Sequence, residues 1–365
     1  MTVPTHASFL AQRRFGSLDG IRAFSIIAVV WHHASVAMES VPLTQHGFLG
    51  VDAFFVMSGF LIVTLLQRER DKSGTISLKK FWVRRSLRIF PLYYALILLF
   101  IVLYGVVRPE ARAAGDFFEE LPFYLTYTSN WVPVAAFAIS WSLATEEQFY
   151  LFWPAIERWA PKTVWLAIAI GIGISQLLNF GPLRGPLEST LGFRYAELEV
   201  LQATFTPILL GVALAHLLHR KSSFDVVAKV LGGRWASVVA LLATIALSAI
   251  GGEIAGWPRL GIQVALFALV GSVVVREDHI LERLLKLKPL VRIGLVSYGI
   301  YLLHLFPIGL VDAAQNRFGV TVPYATFVLG LLVSWGVAEL SYRFFETPFL
   351  KLKERFSSGV APPVT

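Results

Sequence analysis

Apolar residues recur along this chain in blocks of roughly 17–22 residues, parted by short stretches rich in Gly, Pro and charge. An α-helix needs about 20 such residues to cross the hydrocarbon of a bilayer. Each block therefore predicts a spanning helix, and the breaks between them are marked by residues that end helices. Ten spans follow: 21–39, 47–67, 88–107, 141–157, 163–180, 198–218, 235–250, 260–275, 292–312 and 323–344. Two stretches fit the pattern poorly. "FYLTYTSNWVPVAAFAI" (123–139) is polar and proline-broken, which predicts a re-entrant or interfacial segment, and "GWPRLGIQ" (256–263) carries little periodicity. No internal repeat of fixed period is visible. The expected fold class is all-α, a polytopic transmembrane bundle, with one integral membrane domain over 1–356 and a short flexible tail over 357–365.

Composition agrees with the pattern. Of 365 residues, 56% are hydrophobic and only 15% charged, against about 45–50% and 25% in soluble domains. The absence of cysteine excludes disulfides, thiolate metal sites and a thiol nucleophile in this chain. "MTVPTHASFLAQRRFGSLDG" (1–20) lacks the apolar run of a cleavable signal peptide, so the first span is expected to direct its own insertion.

The net charge of +8 would suggest nucleic acid in a soluble protein. Here the cations cluster at span ends, so topology is the better reading and no nucleic-acid partner is expected. With the N-terminus in the cytoplasm, 26 of the 32 Lys and Arg residues fall on cytoplasmic segments and 6 outside. That bias predicts both termini inside, which an even number of spans satisfies.

Ionisable groups at membrane depth are costly unless paired and so mark candidate sites. In "RAFSIIAVVWHHAS" (22–35), His33 follows Arg22 by eleven residues. At 100° per residue the two lie about 20° apart on one face and about 16 Å apart along the axis. Arg22 can equally be a topology anchor and His33 a packing residue; His32, rotated to the other side, reads as structural. In "SWSLATEEQFYLFWP" (140–154), Ser142, Glu146 and Tyr150 share a face at four-residue spacing, with Glu147 pointing elsewhere. Plain capping by acids at a helix N-terminus is the simpler alternative. His304 in "VSYGIYLLHLFP" (296–307) has a depth like that of His33. Asp52 lies in the apolar "GFLGVDAFFVMSGFLI" (47–62), where it could pair with a histidine or bind a polar ligand; the glycines there suit close helix packing.

A basic run, "KKFWVRRSLRIFPLYY" (79–94), sits at the predicted inner face. Arg85 and Arg88 are i, i+3 neighbours able to grip one anion, and Phe81 and Trp82 could stack on a purine. Membrane anchoring on anionic lipid is the competing reading.

Taken together, "LDGIRAFSIIAVVWHH", "GFLGVDAFFVMSGFLI", "FWVRRSLRIFPLYY", "SWSLATEEQFYLFWP", "SYGIYLLHL" and "YRFFETPFLK" resemble the acyltransferase 3 family of integral membrane O-acyltransferases over most of the chain. Arg22 and His33 match the family's Arg and His with ten residues between. Arg85 and Arg88 match its paired arginines, and Glu146 its acid after the Ser-Leu turn. The resemblance implies transfer of an acyl group, commonly acetyl, from acyl-CoA to a hydroxyl of a sugar, lipid-linked glycan or glycoside. It implies no metal, and it places the enzyme in the inner (plasma) membrane.

In that scheme Arg85, Arg88 and Arg22 bind the donor's phosphates. His33 is the general base or a transient acyl carrier, and Glu146 orients it. Asp52, Ser142, Tyr150 and His304 support substrate or catalyst. Residues 179–199 are expected to influence acceptor choice. The rival expectation is a proton-coupled secondary transporter, in which the buried His, Asp and Glu relay protons.

Overall fold

The structure is a computed structural model that describes residues 4–34, 45–191, 205–252, 254–320, 322 and 324–356. The 357–365 tail and much of the stretch expected to influence acceptor choice lie outside the described residues. Every regular element among the described residues is helical. In chain order these are α1 (His6–Ala11), α2 (Gly16–Ala34), α3 (Leu49–Ser73), α4 (Leu78–Val102, continued by a wider turn over Leu103–Val107), α5 (Arg112–Leu125), α6 (Ser140–Trp159), α7 (Val164–Asn179), α8 (Arg184–Leu191) and α9 (Phe205–His219). There follow α10 (Lys221–Leu231), α11 (Ala236–Ser248), α12 (Gly256–Val275), α13 (Glu282–Leu285), α14 (Lys288–Leu295), α15 (Ser297–Leu303), α16 (Leu305–Phe318), α17 (Ala325–Leu340) and α18 (Thr347–Glu354).

Helix occurs within each of the ten expected spans, although residues 35–39 of the first, 198–204 of the sixth and 323 of the last lie outside the described residues. Among the described residues, four helical stretches are long and apolar enough to cross a membrane: Leu49–Ser73, Leu78–Val107, Gly256–Val275 and Ala325–Glu354. The count rises to six if the bent pairs α10–α11 and α15–α16 each make one span. The weakly patterned "GWPRLGIQ" opens the regular helix α12, whereas 126–139 is largely non-helical, as its polarity and prolines predict. Leu166, Ile170 and Ile174 on α7 and Leu329, Leu332 and Val333 on α17 face outward. An apolar exterior of this kind suits a lipid solvent.

The chain forms two compact units. Among the described residues, the first lies within 1–67 and 207–345, the second within 68–206 and 346–356. In the first, α2 runs through the centre and packs on α12 to α17. Small residues make this possible. A Cβ at Gly294 would collide with the Asp19 carbonyl, one at Gly50 with that of Ser25, and one at Gly59 with that of Ile208. Backbone-to-backbone approach of this sort is how helices associate where water cannot drive them together.

In the second unit α4 is the hub. It packs on α5, α6 and α18, and the Trp82 indole N–H donates to the Tyr150 carbonyl at 3.1 Å. Arg84 Nη1 donates to the Phe356 carbonyl at 2.9 Å, closing the end of α18. Trp82 is thus held between helices and Phe81 is buried, so neither is set out as the purine platform the sequence suggested.

Candidate active site

In the first unit, the two histidines expected at similar depth meet. His304 Nε2 lies 3.2 Å from His33 Nδ1, and the ring centroids are 4.8 Å apart. His304 is 0% exposed. It occupies the junction of α15 and α16, where the axis bends by 49°. Pro307 contributes to the break, because it has no N–H for the carbonyl of Leu303.

Carbonyl partners fix the tautomers. His304 Nδ1 is 2.7 Å from the Tyr301 carbonyl, and His33 Nδ1 is 2.9 Å from that of Val29. A carbonyl only accepts, so both Nδ1 atoms carry the proton. His304 Nε2 is then a lone pair that accepts from His33 Nδ1–H. On a neutral His33 the remaining lone pair is at Nε2, on the far side of the ring from this chain. An imidazole oriented through one nitrogen and presenting a basic one at the other is the arrangement of a general base. His32 also adjoins the pair, its ring edge-on to His33 at 5.1 Å and to Phe48 at 5.6 Å.

Two further charged groups belong to this unit. Asp52 (1% exposed) pairs with Arg259 (7% exposed) at 2.9 Å, so its partner is an arginine and not a histidine. Arg259 also lies over the Phe48 ring, 5.2 Å from the centroid. The second oxygen, Asp52 Oδ2, is buried with no hydrogen-bond partner among the described residues. Arg22 is anchored by Asp19, at 2.9 Å. Asp19 is also bound by Arg14, at 2.7 Å. Asp19 and Arg259 are the residues the sequence reading overlooked. Asp19 was detectable, since it stands one turn before Arg22. Arg259 was counted only as an outer loop cation, because nothing local links it to a partner 207 residues away.

The second unit holds the remaining expected residues. The Arg85 guanidinium lies 4.0 Å from the centre of the buried Tyr150 ring, a cation–π geometry. Glu146 and Glu147 are its other electrostatic neighbours. Glu147, expected to point away, thus shares the site with Glu146. Its Oε1 and the Arg85 Nε are both buried without a hydrogen-bond partner among the described residues. Ser142 is buried and donates to the Ile139 carbonyl at 3.2 Å, which spends its hydroxyl on the start of α6. Arg88 lies one turn beyond Arg85 on α4 and stands, with Arg84 and Arg85, among the cations around Lys353 of α18. Among the described residues, no three His, Asp or Glu side chains are grouped to hold a metal ion.

The first unit can therefore present an oriented base and the second a cationic group beside Glu147, whose Oε1 has no hydrogen-bond partner among the described residues. Comparison with known proteins agrees with such chemistry. The acyltransferase domain of the acyltransferase 3 family matches the chain over residues 15–339. The peptidoglycan O-acetyltransferase OatA of Listeria monocytogenes is 30% identical over 363 residues, covering 92% of this chain and 56% of that protein. The O-acetyltransferase OatA of Staphylococcus aureus is 30% identical over 370 residues, covering 93% of this chain and 58% of that protein. The chain thus spans little more than half the length of these curated relatives. No solved structure matches it.

Proposed function

Since the chain belongs to the acyltransferase 3 family, we propose that it is a multi-pass O-acyltransferase of the plasma membrane, with ten spans and both termini in the cytoplasm. It takes an acyl group, most simply acetyl, from cytoplasmic acyl-CoA and passes it to a hydroxyl of a sugar, lipid-linked glycan or glycoside. The observation that carries this reading is the His33–His304 pair, whose carbonyl partners leave His33 Nε2 as the available base.

In the proposed reaction, His33 Nε2 removes the proton of the acceptor hydroxyl as its oxygen attacks the thioester carbonyl. The tetrahedral intermediate collapses with cleavage of the C–S bond. The CoA thiolate leaves and recovers the proton from the His33 imidazolium, giving ester and free CoA. While His33 is an imidazolium, His304 Nε2 holds its Nδ1–H and spreads the charge. This is the orienting part that a carboxylate plays in hydrolytic triads. His304 takes that part in place of Glu146. Glu146 is assigned to the second unit's charged group, with Glu147, Tyr150 and Arg85. Arg85 and Arg88 bind the donor's phosphates, for which guanidinium forks are suited, and Arg22 supplies a further cation fixed by Asp19. Asp52 and Arg259 brace α3 against α12.

Purified protein in proteoliposomes, given radiolabelled acetyl-CoA outside and a saccharide acceptor, tests the reading. The expected result is acceptor-dependent release of CoA and label on the saccharide. Proton flux without any acyl transfer would overturn it in favour of a transporter.

A further inference from the structure

Among the described residues of the second unit, the segment between α5 and α6 is mostly non-helical, yet it is closely hydrogen-bonded. Tyr127 adopts φ 53°, a left-handed conformation that a bulky side chain takes only when its surroundings enforce it. Its ring is stacked on Tyr93 at 4.4 Å. Ser129 and Asn130 are buried. The next residue, Trp131, is 47% exposed.

Gln148 of α6 ties these together. Its Nε2 donates to the Tyr127 carbonyl at 2.8 Å and to Asn130 Oδ1 at 2.8 Å. Its Oε1 accepts from Asn130 Nδ2 at 3.3 Å and from the Trp131 indole N–H at 3.1 Å. Both donors and both acceptor positions of this amide are used, and one of the four bonds sets the angle of an exposed ring.

A tryptophan that merely anchors a protein at the membrane interface keeps its apolar body in lipid and its N–H toward water and headgroups. Trp131 does the opposite. Its N–H is taken up by the Gln148 side-chain oxygen at 3.1 Å, so that polar edge is not left for water or headgroups, while 47% of the residue stays exposed. The ordering is complete before any ligand arrives, so a ligand that stacks on it has little side-chain entropy left to lose. On the same turn, the Trp131 backbone N–H donates to the Thr128 carbonyl at 3.0 Å, and the Thr128 hydroxyl lies 2.8 Å from that of Thr126, whose own proton can go to the Pro122 carbonyl at 2.7 Å. A flat apolar face next to hydroxyls fits a pyranose, which has a C–H face and a rim of hydroxyl groups.

We propose that Trp131, held by Gln148, is a stacking platform for a sugar ring of the acceptor. This rests on the O-acyltransfer reading for the identity of the acceptor. The site itself is a saccharide-binding surface that can be measured without turnover.

The test uses the full chain in nanodiscs and a soluble β-linked tetramer of N-acetylglucosamine as probe. Saturation-transfer difference NMR reads binding in the absence of donor, and the acetyl-CoA assay reads turnover. Wild type and Trp131→Phe should bind, with contact concentrated on ring C–H protons. Trp131→Ala and Trp131→Leu should weaken binding about 10-fold or more, with folding and donor KM unchanged. Leucine separates stacking from anchoring, because it keeps the apolar bulk and loses the flat face. Normal binding by Trp131→Leu, or no binding by wild type, overturns the platform. Trp131-dependent binding without acyl transfer would keep the platform and remove the O-acyltransfer reading.

Discussion

The His33–His304 pair of the first unit and the Arg85 group of the second answer buried polarity in different ways. The contrast is of these two groups and not of the whole units, since Asp52 Oδ2 of the first unit is also buried without a hydrogen-bond partner among the described residues. In the first, the His33–His304 pair is neutral in its bonding pattern and every proton is assigned: two carbonyls fix two Nδ1–H groups, and one lone pair is left at His33 Nε2. In the second, Arg85 lies over Tyr150 with Glu146 and Glu147 nearby, and both Arg85 Nε and Glu147 Oε1 are buried without hydrogen-bond partners among the described residues. An unfilled buried donor or acceptor costs about 1–3 kcal/mol. A satisfied chain with one exposed lone pair is built to react. A charged group with unfilled bonds is built to be completed by something that binds. On the proposed reading the His33–His304 pair governs rate and the Arg85 group affinity, and variants can break that division.

The largest effect should come from His33→Ala. General-base catalysis contributes typically 10²–10⁴-fold, so kcat should fall by about 10³-fold with donor KM little changed and normal membrane expression. Turnover within a few-fold of wild type would remove the base from the first unit. Next is His304→Ala, which leaves His33 Nδ1–H with the Val29 carbonyl alone. A drop of about 10–100-fold in kcat is expected, since neighbours that orient a catalytic imidazole act on this scale. His304→Gln can place an amide oxygen near the former Nε2 and should recover part of the loss. Equal losses for Ala and Gln would show that packing, and not the acceptor, matters.

A smaller effect, and one of the opposite kind, is expected from Arg85→Ala combined with Arg88→Ala. Donor KM should rise about 10-fold while kcat at saturation holds. A fall in kcat with donor affinity intact would collapse the division between the units.

How much of this was legible beforehand follows from the range of each signal. Helices are local, so the apolar blocks placed them, and even the weakness of 123–139 was real: that stretch is where the backbone leaves the helix. The face shared by Arg22 and His33 was also local. The meeting of His33 with His304 is not, because 271 residues separate them and periodicity carries no information across helices. The same holds for Asp52 and Arg259. Glu147 was misjudged for a different reason: a helical wheel gives the direction in which a side chain leaves the axis. It does not show where a long carboxylate ends once Arg85 from α4 is placed beside it.

The smallest prediction concerns a group outside the spans and both chemical centres. His279 lies between α12 and α13, is buried, and joins the start of α2 to the start of α11: Nε2 is 2.9 Å from Ser17 Oγ and Nδ1 is 3.5 Å from Ser237 Oγ. Burial pushes its pKa down to about 4, with Glu282 and Asp278 opposing the shift and Lys286 adding to it. The unfolded chain, with a histidine near 6.5, binds more protons than the folded one between these values. The contribution of neutral His279 is thus fully present above about pH 6.5 and is lost as pH falls toward 4. From pH 8 to pH 6 the loss is about 1 kcal/mol. His279→Gln keeps a donor and an acceptor but does not titrate. The difference in unfolding free energy between wild type and this variant, measured in detergent at pH 8 and pH 6, cancels the other histidines. A pH-dependent gap of about 1 kcal/mol in favour of the variant at pH 6 is expected. The absence of any such gap would mean that the Ser17–His279–Ser237 junction is open to water and that the loop does not lock α2 at this end.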